Sequence, residues 1–317
     1  MKVYKNEKAR LHILETYDKL LPLWGVETEE KDVDTYYGTT HIIECGDSNN
    51  PPLVLLHGVG DDSALMWIYN AKELAGYFRI YAIDTIGGPG KSCPNPNYNK
   101  SFDEIQWMNE VFDKLKLEKF HLAGVSNGSY MAQHYGIMHP DRTLTIICMS
   151  GGISDESSKS PITRMLKVFL PEALFPTEKN TEKLIKKMTG SNYSTFVENP
   201  ALMKHFHWLL KGFNNMAMTY HKIEFFRDDQ IDHVRDKILF LIGESDPLGD
   251  MQAGKDKLDK HHLDYKFFPD VGHAINHEIA DEINQIIISR CTKDKNFGLQ
   301  AGSLLINFYM SCYFIGI

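Results

Sequence analysis

The chain is short of the features that mark several functional classes. Its five cysteines (Cys45, Cys93, Cys148, Cys291 and Cys312) are odd in number, and no pair is spaced as CxxC. Such usage speaks against a disulfide framework or a zinc knuckle and predicts reduced thiols in a cytoplasmic protein. Positive charge is not in excess either, since 34 Lys and Arg face 42 Asp and Glu for a net charge of −8. Nucleic acid is therefore not expected as a partner. The opening run MKVYKNEKARLHILETYDKL has no apolar core of the kind a signal peptide needs, so secretion by that route is not expected. Repeats and low-complexity runs are missing. What is present is a chain of 317 residues, 43% hydrophobic and 24% charged. That is an ordinary soluble composition, long enough to bury a large core.

Periodicity then orders the chain. Apolar residues at helical spacing predict a first helix over Glu7–Trp24. Two strands are expected around Val33–Tyr37 and His41–Cys45, turning at Gly38. From there strands alternate with helices: strands at Leu53–Leu56, Phe78–Asp84, Phe120–Val125 and Leu144–Met149, and helices at Ser63–Tyr77, Phe102–Leu117 and Asn127–His139. Nearly continuous apolar strands between amphipathic helices predict an α/β fold, a mostly parallel sheet with helices on both faces. The alternation pauses from about Gly152 to Arg235 and resumes with ILFLIG at Ile238, a strand at Tyr265–Phe268 and a helix at Ala274–Ser289. No Pro/Gly/Ser linker flanks the pause. The expected organisation is a core of residues 1–153 and 236–290, a helical cap inserted at 154–235, and a C-terminal extension at 291–317.

Three motifs carry the chemistry. Gly124-Val125-Ser126-Asn127-Gly128 follows the strand FHLAGV and precedes a helix. In that setting GxSxG is a nucleophile elbow, a sharp strand-to-helix turn with the helix dipole aimed at the reacting centre. His57-Gly58-Val59-Gly60 ends the strand LVLL. An oxyanion hole needs two backbone donors, one from the residue after the nucleophile, so the N–H groups of Asn127 and Val59 are the candidates. A serine nucleophile then needs an acid followed by a histidine. Asp246, in GESDP, and His273, in VGH, both lie just past strand ends, where sites on open α/β sheets gather. Glu244 and Asp250 compete with Asp246 for the acid's role. His277 stands four residues from His273, a metal-binding spacing on a helix, but no third ligand is evident and metal is not expected. GGPGKS lacks the first glycine of a phosphate-binding loop, because Thr85 occupies that position, so nucleotide binding is rejected.

HGVG, GVSNG, GESDP and VGH, in this order from about Tyr36 to Ser289, resemble the α/β-hydrolase superfamily. Tyr81–Ser92 resembles the loop after the fourth strand in bacterial carboxylesterase-like members, one residue longer than the usual form. The resemblance implies an α/β-hydrolase fold with an inserted helical cap. Ser126 in place of the aspartate of dehalogenases and epoxide hydrolases favours acyl transfer. Ser126 would attack, His273 would move the proton, Asp246 would fix the imidazole, and no cofactor would be required. The expected function is a carboxylesterase-like serine hydrolase of a small-molecule ester. A C–C, lactone or thioester hydrolase using the same triad stays open, as does a non-catalytic ligand- or partner-binding member of the fold. A homo-oligomer is possible and a membrane association is not favoured. Cap residues Phe169, Phe175, Phe206, Trp208, Phe213, Met216 and Met218 could line an acyl pocket or simply join the cap to its core. Residues 298–317 carry no side-chain charge and are expected to be dispensable.

Overall fold

The computed structural model describes residues 2–158 and 162–292. Nine strands among them form one sheet: β1 (Thr28–Thr35), β2 (Gly38–Cys45), β3 (Pro52–Leu56), β4 (Arg79–Ile83), β5 (Cys93–Pro94), β6 (Phe120–Val125), β7 (Thr143–Met149), β8 (Ile238–Gly243) and β9 (Asp264–Phe268). Their order is β1-β2-β4-β3-β6-β7-β8-β9, with β5 paired to β2. β1, β2 and β4 are antiparallel neighbours, and every pairing from β4 across to β9 is parallel. The apolar runs explain this. Leu53 and Leu55 of β3 enter the core on one face of the sheet while Val54 and Leu56 enter the core on the other. Ala123 and Val125 of β6 divide from Phe120 and Leu122 in the same way. Each buried Leu, Val or Phe among them contributes about 1.5–3 kcal/mol, which only a sheet covered on both faces can collect.

From β3 the chain passes to β4 on one side and later returns to β6 on the other. The strand order therefore reverses between β3 and β6, and a crevice opens at their carboxyl ends. The turn at His57 and the turn at Ser126 leave from those two ends.

Three of the expected elements differ most from the sequence reading, and β5 was not expected. β1 begins at Thr28, because its charged first half is an edge strand held by pairing from Thr28 to Cys45 through Thr35 to Gly38, with Val33 buried. The helix expected over Ser63–Tyr77 is two short ones, Ser63–Met66 and Ala71–Leu74. Asn70 sits at the break, where its Nδ2 donates to the Asn276 carbonyl at 3.1 Å and to Asn284 Oδ1 at 2.8 Å. The C-terminal helix likewise divides into Ile275–Glu278 and Ala280–Thr292.

Between β7 and β8 the chain is mainly helical, with its longer helices at Ile162–Leu174, Glu178–Met188 and Pro200–Gly212. These helices are held unequally. Trp208 stacks on His12 of the first helix at 4.1 Å between ring centres, and Phe213 and Met218 are buried against Val3. Phe206 is half-buried against the core. In contrast, Leu166, Leu170, Leu174 and Phe175 are exposed along one helix and its end, and Met216 is exposed as well. The aromatics and methionines thus divide between gluing the insertion down and facing solvent. Few buried apolar contacts mean low local stability. Amides of Ile162–Leu174 are expected to exchange at least about tenfold faster than those of Pro200–Gly212. Hydrogen exchange followed by mass spectrometry checks this, and equal protection would count against it.

No helix of the described residues is long and apolar enough to cross a membrane. The expectations for residues 298–317, and for all of the extension beyond Thr292, lie outside the described residues.

Candidate active site

Ser126 stands where β6 gives way to the helix Asn127–Met138, with φ 56° and ψ −114°. A positive φ at a non-glycine residue is strained and persists only where its surroundings enforce it. Here they do. The Ser126 N–H donates to the Met149 carbonyl at 2.9 Å, tying the turn to the end of β7. A methyl group on Gly124 would lie 2.0 Å from the Gly128 carbonyl oxygen, and one on Gly128 would lie 2.0 Å from the Leu56 carbonyl oxygen. Both glycines are needed because strand, helix and β3 approach closely at this point.

The loop after β3 lies against the elbow. A Cβ built on Gly58 would sit 3.4 Å from Ser126 Cβ. Asn127 opens its helix, so its N–H lies in the first turn, whose amides have no intrahelical acceptor. Val59 packs against the small apolar cluster of Val3, Phe213, Ala217 and Met218. His57 braces the loop: its Nε2 accepts the Thr85 N–H at 2.9 Å, and its Nδ1 is 2.8 Å from the Gly58 carbonyl. A carbonyl only accepts, so the ring proton is on Nδ1.

On the other side of the crevice, His273 Nδ1 is 2.8 Å from Asp246 Oδ2. Asp246 Oδ1 accepts the Leu248 N–H at 2.8 Å, and the residue is buried. Glu244 is exposed. Asp250 is also exposed, caps the helix Met251–Lys260 through the Ala253 N–H, and pairs with Arg164 at 3.2 Å. Of the three acids, Asp246 is the one bonded to His273. The His273 backbone is fixed from both ends. Its N–H donates to the Met188 carbonyl at 2.6 Å, and its carbonyl accepts the Ser150 hydroxyl at 2.6 Å. Ser150 follows Met149, the residue bonded to Ser126, so the loops of the histidine and the serine are both tied to the end of β7. Burial pushes the His273 imidazole down, but Asp246 by charge and hydrogen bond, then Asp61 and Glu278, push it up, and the net shift is above the ordinary value.

Several positioning groups carry no local sequence signal. Glu278 accepts the Gly272 N–H at 2.9 Å and the Gly190 N–H at 2.6 Å, clamping the histidine loop to the insertion. Burial pushes its carboxyl up, against the pull of those two donors. Asp62 is 2.7 Å from His205 Nε2, and His205 Nδ1 is 2.7 Å from Thr16 Oγ1. That buried chain joins the insertion, the loop after β3 and the first helix. Although burial opposes it, the charge and hydrogen bond of His205 hold the Asp62 carboxyl below its usual range. The oxygens of Asp84 accept from the N–H groups of Ser63 and Lys91 and from the Tyr17 hydroxyl. The segment GGPGKS is thus one rim of the same loop system.

His277 does not share a site with His273. Its Nε2 donates to the Leu65 carbonyl at 3.0 Å, and Tyr69 and Phe196 pack on its ring. Burial lowers its pKa to about 4 despite that bond. Between that value and the unfolded value of ~6.5, the unfolded chain takes up a proton that the folded one does not. Stability from this group is full above pH 6.5 and is lost as pH falls through 4, at about 1.4 kcal/mol per unit. Going from pH 7 to 5, the protein is expected to lose about 2 kcal/mol more than His277→Gln, read from urea midpoints. An equal loss in both proteins would show that His277 is not the cause.

A family model described as the alpha/beta hydrolase fold matches residues 51–279. Carboxylesterase YbfK of Bacillus subtilis is 28% identical over 291 residues, 89% of this chain and 94% of its own length. An uncharacterized carboxylesterase, nap, of the same organism is 27% identical, covering 86% of this chain and 90% of its own. Among solved structures, naproxen esterase of B. subtilis superposes with a TM-score of 0.77 at 24% identity, over 90% of this chain and 98% of that one. Matched over residues 51–279, which hold β3 to β9 and both banks of the crevice, the chain belongs to the alpha/beta hydrolase family.

Proposed function

We propose that this chain is a carboxylesterase-like serine hydrolase that cleaves a small-molecule ester through an acyl-enzyme on Ser126. The observation that carries the reading is the 2.8 Å contact between Asp246 and His273, placed across the end of β7 from a serine held at φ 56°. In this reading His273 Nε2 takes the Ser126 proton as Oγ attacks the carbonyl carbon. The N–H groups of Val59 and Asn127 receive the developing oxyanion, a contribution worth about 3–4 kcal/mol per donor in such sites. His273 then returns the proton to the departing alkoxide. Water, deprotonated by the same histidine, releases the acid and restores the serine.

The carboxylesterase relatives, matched over most of both chains, support ester hydrolysis. No step of this cycle calls for a metal or cofactor. The free thiols among the described cysteines, Cys45, Cys93, Cys148 and Cys291, support a cytoplasmic setting. A panel of p-nitrophenyl esters of varied acyl length, assayed beside a lactone and a thioester, tests the activity. A serine-directed fluorophosphonate followed by peptide mapping tests the nucleophile. Ester turnover with label on Ser126 is expected; label on another residue would overturn the assignment.

A further inference from the structure

Three residues past Gly58 the same loop carries a second acid, Asp61, that the cycle above does not use. Its Oδ2 lies 3.6 Å from the point a Gly58 Cβ would occupy, and Ser126 Cβ lies 3.4 Å from that point. Oδ2 is therefore no farther than 7.0 Å from the nucleophile's Cβ, and Oδ1 belongs to the same carboxyl. Oδ1 is shielded from solvent and has no hydrogen-bond partner. Its neighbour Asp62 is committed to His205 and to the Leu65 N–H. Burial and the charge of Asp62 push the Asp61 carboxyl up to about 7, against the opposing pull of His273. A buried polar oxygen without a partner is destabilising, because it has given up water and gained nothing in return. A ligand group that reaches Oδ1 from the crevice would supply that partner.

We propose that Asp61 reads the substrate, accepting esters that carry a hydroxyl group near the scissile bond in preference to their alkyl counterparts. A hydroxyl is the matching group because it can donate to the carboxylate and accept from the carboxylic acid. A keto group could only accept, and a carboxylate would meet like charge. An alkyl group in that place leaves Oδ1 unpaired, and sites with buried polar groups reject such analogues strongly. The inference rests on Ser126 being the nucleophile and adds a substrate class to that reading.

The test uses the full chain and two near-isosteric pairs. One pair, p-nitrophenyl 3-hydroxybutanoate and 3-methylbutanoate, places the hydroxyl on the acyl side. The other, 2-hydroxyethyl and propyl butanoate, places it on the alcohol side. The quantity read is the ratio of kcat/KM within a pair, which does not depend on how much of a variant is folded. In at least one pair the unmodified protein should favour the hydroxyl ester by about tenfold or more. Asp61→Asn, which keeps a donor and an acceptor, should preserve most of that ratio, and Asp61→Leu should bring it to one or below. Ratios within twofold of one in both pairs, or a ratio unchanged in Asp61→Leu, would overturn the proposal. Failure to cleave any of the four esters would instead overturn the esterase reading, and this inference with it.

Discussion

Ser126→Ala is expected to lower kcat on p-nitrophenyl esters by on the order of 10⁶-fold while leaving the fold in place. Without Oγ no acyl-enzyme can form, and water must attack the bound ester directly. The oxyanion donors belong to the backbone and survive the change, so a residual acceleration of ~10³–10⁴ over water should remain. Stability should move by less than about 0.5 kcal/mol. The side chain is half-buried, its hydroxyl does not cap the following helix, and alanine meets the same φ penalty as serine at 56°. Steady-state kinetics and thermal unfolding of the same preparation separate the two effects. Turnover like that of the unmodified protein would remove Ser126 from the mechanism.

What the sequence made legible follows from how far each feature depends on distant residues. β3 and β6 could be located because their apolar runs need no partner to be noticed, and both strands are buried on both faces. Ser126 could be located because Gly124 and Gly128 meet backbone close by in the chain or just across β3. β1 was legible only in part: TEEKD has no apolar alternation, and what makes it a strand is the ladder offered by β2. The break at Asn70 was illegible because its cause lies more than 200 residues away, at Asn276 and Asn284.

The same division runs through the site. Asp246 and His273 stood out as candidates from chain order and strand ends, and it is exposure and bonding that separate Glu244 and Asp250 from them. Glu278, His205 and Asp61 act through loops that sequence cannot bring together. Asp61 and Asp62 illustrate the limit: they are adjacent and chemically alike, yet one is fully bonded and the other has an unpaired oxygen. The insertion shows it from the packing side. HFHWLLKGF reads as an amphipathic stretch, but it is His12, Thr16 and Asp62 that fix it in place.

Asp246→Asn is expected to lower kcat by about 10⁴-fold with little change in KM. The geometry says why an isosteric amide should be so damaging. Asp246 Oδ1 accepts the Leu248 N–H at 2.8 Å, and an asparagine keeps that bond only by placing its carbonyl oxygen there. Its NH₂ group must then face His273 Nδ1, where Oδ2 now stands. An NH₂ group donates, so Nδ1 must accept, and the ring proton moves to Nε2. Nε2 is the atom that has to take the proton of Ser126, and in this tautomer it cannot. The pH profile gives a second signature. Catalysis needs an uncharged His273, and Asp246 is the leading group that raises its pKa above the ordinary value, burial working the other way. Removing that negative charge lets burial prevail, so the acid limb of the residual activity should move to lower pH. Asp250→Asn should do neither, because Asp250 is exposed and engaged with Arg164 and the Ala253 N–H. Kinetics of both variants from pH 5 to 9 decide the matter. An active Asp246→Asn beside an inactive Asp250→Asn would transfer the acid's role to the competitor and require His273 to turn away from the partner it has here.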